Sequence, residues 1–215
     1  MLIDKGRQSG LIAVIHADVS SVGGTDVGAR LRPALERLAQ LFAPAVSGPF
    51  TATGAGRVDG ALADPAQAPL FISVLREDLA PLQLRVGVGI GTVEQVRDPV
   101  ADGGQVYSMA RRAFRLAMRD DGLCRYLGTG EAGDVLLAAL CRLVDPLIRA
   151  RTPKQWEAIA AYRELGHQRE VAARLGVTRQ SVGDRLTAGH RRAVEEADAA
   201  VATYLSYLRR QSPTP

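Results

Sequence analysis

The chain has 215 residues, of which 47% are hydrophobic and 5% aromatic, a composition typical of a folded protein with one large or two smaller domains. Its two cysteines have no metal-binding spacing and its three histidines form no cluster, so we expect no metal, no cofactor and a reducing environment. There is no apolar run of membrane-spanning length and no signal-peptide pattern, which predicts a soluble, cytoplasmic protein without a membrane partner.

Apolar spacing predicts alternating strands and helices in the first 130 residues. The predicted strands cover residues 11–21, 49–53, a third strand that begins at 61 after a turn over 54–60, 82–96, and a short strand at 126–127. The predicted helices cover residues 29–42, 66–80 and 104–119. The order strand–helix–strand–strand–helix–strand is that of a ferredoxin-like split unit, so we expect an α+β domain over residues 10–130.

An all-α part is predicted after this domain. A helix over residues 131–149 bridges to a C-terminal domain over 151–210, in which Thr152 and Pro153 are the N-cap and first residue of a helix over 153–166. The side chains that we expect on the core side of this helix are Trp156, Ile159, Ala160 and Leu165.

The last helix is predicted from about residue 184 to residue 210. Its apolar residues step by three and four, as in a short heptad seam: Val194, Ala197, Val201, Tyr204 and Leu208. Two interpretations stay open at this point. The seam either packs on its own chain or joins two copies into a homodimer.

Residues 168–186 have the pattern of two short helices joined by a tight turn. Ala172 lets the helices approach, Gly176 makes the turn, and Val182 anchors the second helix in the core. Thr178 is a suitable N-cap for the second helix, because its hydroxyl can accept from a backbone N–H group. The pattern is typical of a helix-turn-helix that binds double-stranded DNA, and a helical hairpin for protein contacts is the alternative.

The distribution of charge agrees with a polyanion as partner. Residues 1–150 carry 16 basic and 16 acidic side chains, whereas residues 151–215 carry 11 basic and 7 acidic ones and supply the whole net charge of +4. The side chains that we expect to read or position on the major groove are Thr178, Arg179, Gln180, Ser181 and Arg185. Gln168 and Asp184 are further candidate DNA-binding residues. Those that we expect to meet phosphates are Arg169, Arg174, Arg191 and Arg192.

Two resemblances to known families add to this interpretation. The string TPKQWEAIAAYRELGHQREVAARLGVTRQSVGDRL (152–186) resembles region four of sigma factors, which implies DNA binding and a possible contact with RNA polymerase. The blocks IHADVSS (15–21), FTATGAGRVDGAL (50–62), RVGVGIG (85–91) and DPVADGGQVYSMARRA (98–113) resemble the SatD family. That resemblance implies a fold similar to the palm domains of class III nucleotidyl cyclases and GGDEF proteins.

The chain departs from the SatD pattern where palm domains hold metal. The family's hairpin is approximately GDEFQG, and Gly56 and Arg57 stand here in place of its two acids. A palm-domain enzyme uses a first-strand acid together with a hairpin acid to bind divalent metal, and Asp18 alone is a poor magnesium site beside Arg57. We therefore expect no catalytic activity. The glycines of RVGVGIG favour close packing over phosphate binding, because the full GxGxxG pattern before a helix is missing.

The palm-like domain is then expected to sense a small-molecule ligand or to serve assembly, and both roles stay open. The candidate ligand-binding residues are Asp18, Ser20, Ser21, Arg57, Asp102, Tyr107 and Arg111. The resulting hypothesis is a DNA-binding transcriptional regulator, a homodimer, with a non-catalytic N-terminal domain. The alternatives are a nucleotide-processing enzyme directed to DNA and a factor that contacts RNA polymerase.

Overall fold

The computed structural model describes residues 10–20, 26–54, 56–92 and 104–212. The strands are β1 (Leu11–Ser20), β2 (Val46–Thr53), β3 (Arg57–Leu62), β4 (Gln83–Thr92) and β5 (Cys124–Leu127). The helices are α1 (Val27–Leu41), α2 (Ala68–Leu79), α3 (Gln105–Arg119), α4 (Glu131–Arg149), α5 (Pro153–Leu165), α6 (Gln168–Leu175), α7 (Arg179–Ala188) and α8 (Arg191–Gln211). The chain is a mixed α+β fold with a mainly helical C-terminal part, as the sequence predicted.

The five strands form one sheet in the order β2-β3-β1-β4-β5. Strand β1 lies in the centre and pairs antiparallel with both β3 and β4, while β5 runs parallel to β4. In this register His16 lies between Asp59 of β3 and Gly87 of β4, and Asp18 lies between Arg57 and Arg85. Asp18 therefore has an arginine opposite it on each neighbouring strand, and His16 has Asp59 opposite it on β3.

The alternation of β1 separates the two faces of the sheet. Ala13, Ile15 and Ala17 are fully buried in the larger core, which α1 and α2 cover from one side. Val14 belongs to a smaller cluster on the opposite side, together with residues of α3 such as Ala110. The helices thus cover both faces of the sheet, and the strand is apolar along most of its length for that reason.

Glycines of β4 allow α3 to lie directly on the sheet. A Cβ atom added to Gly87 would lie 2.2 Å from the carbonyl oxygen of Ala110, and one added to Gly89 would lie 2.2 Å from that of Val106. Both neighbours are helix backbone, which cannot move aside as a flexible side chain can. The close-packing role predicted for the glycines of RVGVGIG is confirmed.

We expect Gly87→Ala to destabilise the protein by about 1–3 kcal/mol, because the methyl group forces α3 away from the sheet. The free energy of unfolding in urea measures this loss. Gly104→Ala is the matched control, since a Cβ atom there meets nothing within 4 Å. Equal stability of the two variants would show that α3 does not rest on β4 at this distance.

The hairpin between β2 and β3 is tighter than predicted. Strand β3 begins at Arg57 instead of residue 61, so most of the predicted turn over 54–60 is strand. The reason is non-local: β3 pairs with β1 on one side and with β2 on the other, and these ladders outweigh the turn preference of the local Gly and Asp residues. Residue 55 lies outside the described residues.

The C-terminal helices also differ from the prediction. One helix from residue 184 was expected, but α7 ends at Ala188 and α8 begins at Arg191. Between them His190 adopts the left-handed conformation with φ of 50°, which turns the chain. The prediction of Trp156 in the core of the C-terminal domain is also wrong, because Trp156 packs with a separate cluster that contains Leu123 and Ile148.

The apolar seam of α8 packs on its own chain. Val194 is buried against Leu123 and Ile148, and Val201 is buried in the main core with the sheet. At the far end of α8, Arg209 forms an ion pair of 3.1 Å with Asp64. The first of the two interpretations of the seam is therefore the one observed, and α8 joins the C-terminal part to the N-terminal body.

Candidate nucleic-acid interface

Helices α5, α6 and α7 enclose a small core of their own. Its buried members are Ala158, Ile159, Ala161, Val171, Ala172, Val182 and Leu186. Val182 and Ala172 lie at the positions that the spacing predicted. Gly176 ends α6 with φ of 64°, in the left-handed region that favours glycine. The sequence spacing thus places a small residue, a glycine turn and a branched anchor as expected.

The caps of these helices agree with the local sequence. Thr152 and Gln155 form a reciprocal capping box at the start of α5. The Thr178 hydroxyl accepts from the backbone N–H group of Ser181 at 3.1 Å, which confirms Thr178 as the N-cap of α7. The cap fixes the direction in which α7 begins, and the exposed side chains of Arg179 and Gln180 follow at once.

The predicted DNA-contacting residues fall into two groups by exposure. The exposed ones are Arg169, Arg174, Thr178, Arg179, Gln180, Asp184 and Arg192. The half-buried ones are Gln168, Ser181, Arg185 and Arg191. Of these candidates, Arg169 and Arg179 line one pocket together with Gln168, so α6 and the N-terminal end of α7 share a surface at that point.

The arginines among these candidates also differ in whether an acidic side chain forms an ion pair with them. The pairs are Arg185 with Glu157 at 3.6 Å, Arg192 with Glu196 at 2.7 Å, Arg174 with Glu164, and Arg191 with Glu195. Among the described residues, Arg169 and Arg179 form no ion pair. Among the arginines predicted to contact DNA, these two are thus the ones without an acidic partner in the described structure, which favours them as sites for an anionic partner.

The sequence interpretation missed two features of α7. Gly183 and Thr187 follow Gln180 at helical spacing and line an open groove together with Gln168. A Cβ atom on Gly183 would come no closer than 3.7 Å to another atom, so packing does not require glycine there. The bare backbone at Gly183 leaves this face of α7 open to a close-fitting partner. Helical periodicity from Gln180 was the signal that could have indicated both residues.

The candidate ligand-binding residues of the N-terminal domain do not all come together. Asp18 and Arg57 are cross-strand neighbours, and Ser20 is exposed at the end of β1. Tyr107 is buried in a cluster with Val14 of β1. Val14 precedes Asp18 by four residues, so the two Cα atoms lie roughly 13 Å apart along the strand. Arg111 is exposed on α3, and Ser21 and Asp102 lie outside the described residues.

A buried pair under α3 was not predicted. His16 Nδ1 lies 2.7 Å from Asp59 Oδ1, and the His16 ring meets the ring of Phe114 edge to face. Strand register puts the two residues opposite each other, 43 positions apart in sequence. No local pattern connects them, so only the strand pairing reveals the contact. The pair satisfies two polar groups inside the sheet face.

Polar contacts also join the body to the C-terminal helices. Arg163 of α5 donates two hydrogen bonds to Glu77 of α2, at 2.6 and 2.7 Å. Burial acts to lower the pKa of Arg163, but the bonds and charge of Glu77 outweigh it and the pKa is raised. Ser73 donates to Asp198 at 2.5 Å, and burial raises the pKa of Asp198. The C-terminal part is thus held to the body by a partly buried charged contact.

These features define an α+β protein with a mainly helical C-terminal part that presents an exposed basic helix end. No protein-family model and no curated protein matches the chain. Among solved structures, it is similar to a regulator of polyketide synthase expression from Bifidobacterium adolescentis over 96% of this chain and 88% of that chain. The TM-score is 0.27 and the sequence identity 16%, values that carry no argument about this chain.

None of the helices in the described part of the chain combines the length and the apolar composition that crossing a membrane requires. The described residues contain no group of three or more His, Cys, Asp or Glu side chains placed to hold a metal ion. The resemblance to the SatD family stays a prediction from the four sequence blocks.

Proposed function

We propose that this chain is a DNA-binding transcriptional regulator in which α6 and α7 form a helix-turn-helix and α7 enters the major groove. The observation that carries the proposal is the N-terminal end of α7. There the Thr178 cap orients the exposed Arg179 and Gln180 on a helix that Val182 and Leu186 anchor in a packed core. Recognition helices meet base edges with their N-terminal residues, which is where these side chains lie.

The chemistry of the two side chains suits base recognition. A guanidinium group can donate two hydrogen bonds to guanine, and an amide can pair with adenine through one donor and one acceptor. Arg179 has no ion pair to give up among the described residues. Arg169 lines one pocket with Arg179, and Arg192 is exposed at the start of α8. Both are suited to phosphates, which add affinity without sequence preference.

Selection from a pool of random DNA duplexes tests this proposal. The full chain is mixed with the pool, bound duplexes are recovered and sequenced, and the cycle is repeated. We expect one recurring sequence, and two-fold symmetry in it would indicate a dimer. Recovered duplexes without any shared sequence would contradict a sequence-reading α7.

For the N-terminal domain we propose a ferredoxin-like, palm-like fold related to the SatD family, without catalytic activity. The strand order β2-β3-β1-β4 with antiparallel neighbours supports the fold. The strand register supports the absence of catalytic activity in this proposal, because Asp18 lies between Arg57 and Arg85. A single carboxylate between two cations is a poor magnesium ligand set. Turnover of labelled nucleotides with Mg²⁺ or Mn²⁺ that Asp18→Ala abolishes would favour the enzyme instead.

We propose further that the chain is a homodimer through α4, since the seam of α8 is occupied. Five outward-facing residues of α4 repeat the heptad spacing: Ala132, Leu136, Ala139, Leu143 and Pro146. Leu143 is 73% exposed and Leu136 59%, which is unusual for leucine in a monomer. In an antiparallel pair of α4 helices these apolar residues of one copy would cover those of the other, which favours a second copy as the partner.

We expect Leu136→Glu with Leu143→Glu to weaken self-association by roughly 100-fold or more, because the carboxylates would be buried without partners. The mass in solution at micromolar concentration should fall from that of a dimer to that of a monomer. Leu41→Glu with Met118→Glu is the control, since both residues are also exposed but lie on α1 and α3. A dimer that survives the α4 variant would place the interface elsewhere.

The sigma-like string 152–186 supports a second candidate, a factor that contacts RNA polymerase. Capture of purified polymerase by the chain without DNA distinguishes the two candidates. A simple operator-binding regulator leaves the polymerase uncaptured under those conditions.

A further inference from the structure

A cavity of about 90 Å³ lies where the start of β4 meets the end of α4 and the start of α5. Its charged lining consists of Arg76, Arg149 and Arg151, and Leu84, Ile148 and Trp156 contribute apolar surface. No acidic residue lines it. Three guanidinium groups around one cavity with an apolar wall form an uncommon arrangement, because isolated charges are costly to bury.

Arg76 is poorly satisfied in this position. The residue is only 8% exposed, and its Nη2 donates to the carbonyl oxygen of Leu123 at 3.3 Å. Its Nε is buried and has no hydrogen-bond partner among the described residues. A buried charged donor without a partner indicates a missing acceptor.

Arg151 lacks a carboxylate partner as well. Its guanidinium lies 4.6 Å from the centroid of the Trp156 ring, and its Nε donates to the carbonyl oxygen of Gly189 at 2.8 Å. Within the described part of the chain it makes no ion pair. Burial lowers the pKa of Arg151 to about 10, and the charge of Arg76 adds to the decrease while Glu77 opposes it. The guanidinium stays charged at neutral pH, and a bound anion would oppose this decrease of its pKa.

Two acids beside Arg76 accept hydrogen bonds from other groups. Asp145 and Asp198 line a separate small cavity of about 30 Å³, and Arg76 contributes to the lining of both cavities. Asp145 accepts from the backbone N–H group of Leu123 at 2.7 Å, and Asp198 accepts from Ser73. Burial raises the pKa of both carboxyl groups, and the charge of Arg76 opposes the rise. In the described structure neither forms an ion pair with Arg76 or Arg151.

We propose that this cavity binds a small organic anion, whose carboxylate or phosphate group takes the donors of Arg76 and Arg151 while a short apolar part lies on Leu84, Ile148 and Trp156. The volume is that of about three water molecules, which limits the ligand to a few heavy atoms. Arg149 is held by Asp121 at the cavity edge and adds positive charge without being the main donor. This site differs from the residues around Asp18.

The cavity is linked to the end of α7. The Arg151 guanidinium that would hold the anion also holds the carbonyl of Gly189, the C-cap of α7. An anion that draws this guanidinium towards the cavity would weaken its hydrogen bond to Gly189 at the C-terminal end of α7. This step rests on the proposed DNA binding, whereas binding of the anion does not.

Fluorescence of Trp156, the one tryptophan of the chain, tests the site directly. The full chain is titrated with butyrate, with inorganic phosphate and with the neutral butyramide, at constant ionic strength. We expect a saturable change with butyrate or phosphate and none with butyramide. Saturation with butyrate alone identifies a carboxylate site, and saturation with phosphate alone a phosphate site. No saturation with either anion, or an equal response to butyramide, would overturn the proposal.

Variants assign the signal to the cavity. Arg151→Gln should weaken binding by roughly tenfold or more, and Arg151→Lys should retain part of it because the charge stays. Arg119→Gln, an exposed arginine of α3, is the control and should bind as the unchanged chain does. Thermal unfolding of each variant verifies that it is folded. An Arg119→Gln chain that loses as much affinity as Arg151→Gln would overturn the assignment.

The link to α7 is tested separately, by measuring affinity for the selected duplex with and without the bound anion. A change of affinity supports the link. An unchanged affinity would overturn the link while the fluorescence titration still decides the site. A chain that binds the anion but no duplex would contradict the proposed function and leave the cavity assignment standing.

Discussion

Replacing Arg179 and Gln180 together by alanine is expected to lower affinity for the selected duplex by roughly 30-fold or more. Each bidentate contact with a base is worth about 1–3 kcal/mol, and 1.4 kcal/mol is a factor of ten. Both side chains are exposed at the capped start of α7, so their removal should not disturb the core. Sequence preference should fall with affinity. Titration of labelled duplexes of the selected and of a scrambled sequence measures both effects.

The matched control for this variant is Arg119→Ala with Gln105→Ala. These residues are the same two types and are exposed on α3, so the loss of net charge is equal. If the α3 control variant binds the duplex within about twofold of the affinity of the unchanged chain, the loss in the α7 variant is due to the position of its side chains and not to the lost charge. If the α7 variant still bound the selected duplex with full affinity and preference, α7 would not be the recognition helix.

Phosphate contacts should behave differently. Arg169→Ala should weaken binding to all duplexes alike and reduce the salt dependence by about one released ion.

Replacing Glu77 by glutamine is expected to destabilise the protein by about 3 kcal/mol or more, because it leaves the charge of Arg163 in a partly buried position without its partner. The side chain of Glu77 is 4% exposed, and both of its oxygens accept from Arg163. The contact joins α2 of the body to α5. The free energy of unfolding in urea measures the loss.

Two controls separate this effect from charge alone. Glu196→Gln removes the partner of Arg192 in a pair where both side chains are largely exposed, and it should change stability by no more than about 0.5 kcal/mol. Glu77→Met with Arg163→Met should recover most of the lost stability, because neither charge then remains buried. If Glu77→Gln were as mild as Glu196→Gln, the charged contact would not hold the C-terminal part to the body.

The contact between body and C-terminal helices also bears on the proposed regulator. Helix α8 packs its apolar seam in the same core as the sheet, and Ser73 and Asp198 add a polar contact between α2 and α8. The helix that follows α7 is therefore anchored in the N-terminal domain. A ligand that shifts this domain can act on α7 through packed structure, without a flexible linker between them.

Local sequence was sufficient for most of α5, α6 and α7. Pro153 at the first turn, glycine in the left-handed turn and Thr178 as N-cap act within a few residues of themselves, so their effects appear in the sequence. The apolar run of β1 and the glycines of β4 could be recognised in the sequence for the same reason. The exposed candidates on α7 follow from helical spacing once the cap is known.

Long-range packing decided what local patterns left open. The partner of the α8 seam, the start of β3 at Arg57 and the place of Trp156 depend on neighbours far away in the chain. His16 with Asp59 and the cavity between Arg76 and Arg151 are likewise formed by residues from different strands and helices. Sequence alone determined most of the elements and the basic helix end, because caps, turns and periodicity are local, but it did not determine the start of β3 or the break between α7 and α8. Tertiary structure decided which charges are paired and which cavity they surround, because burial and strand register exist only in the folded chain.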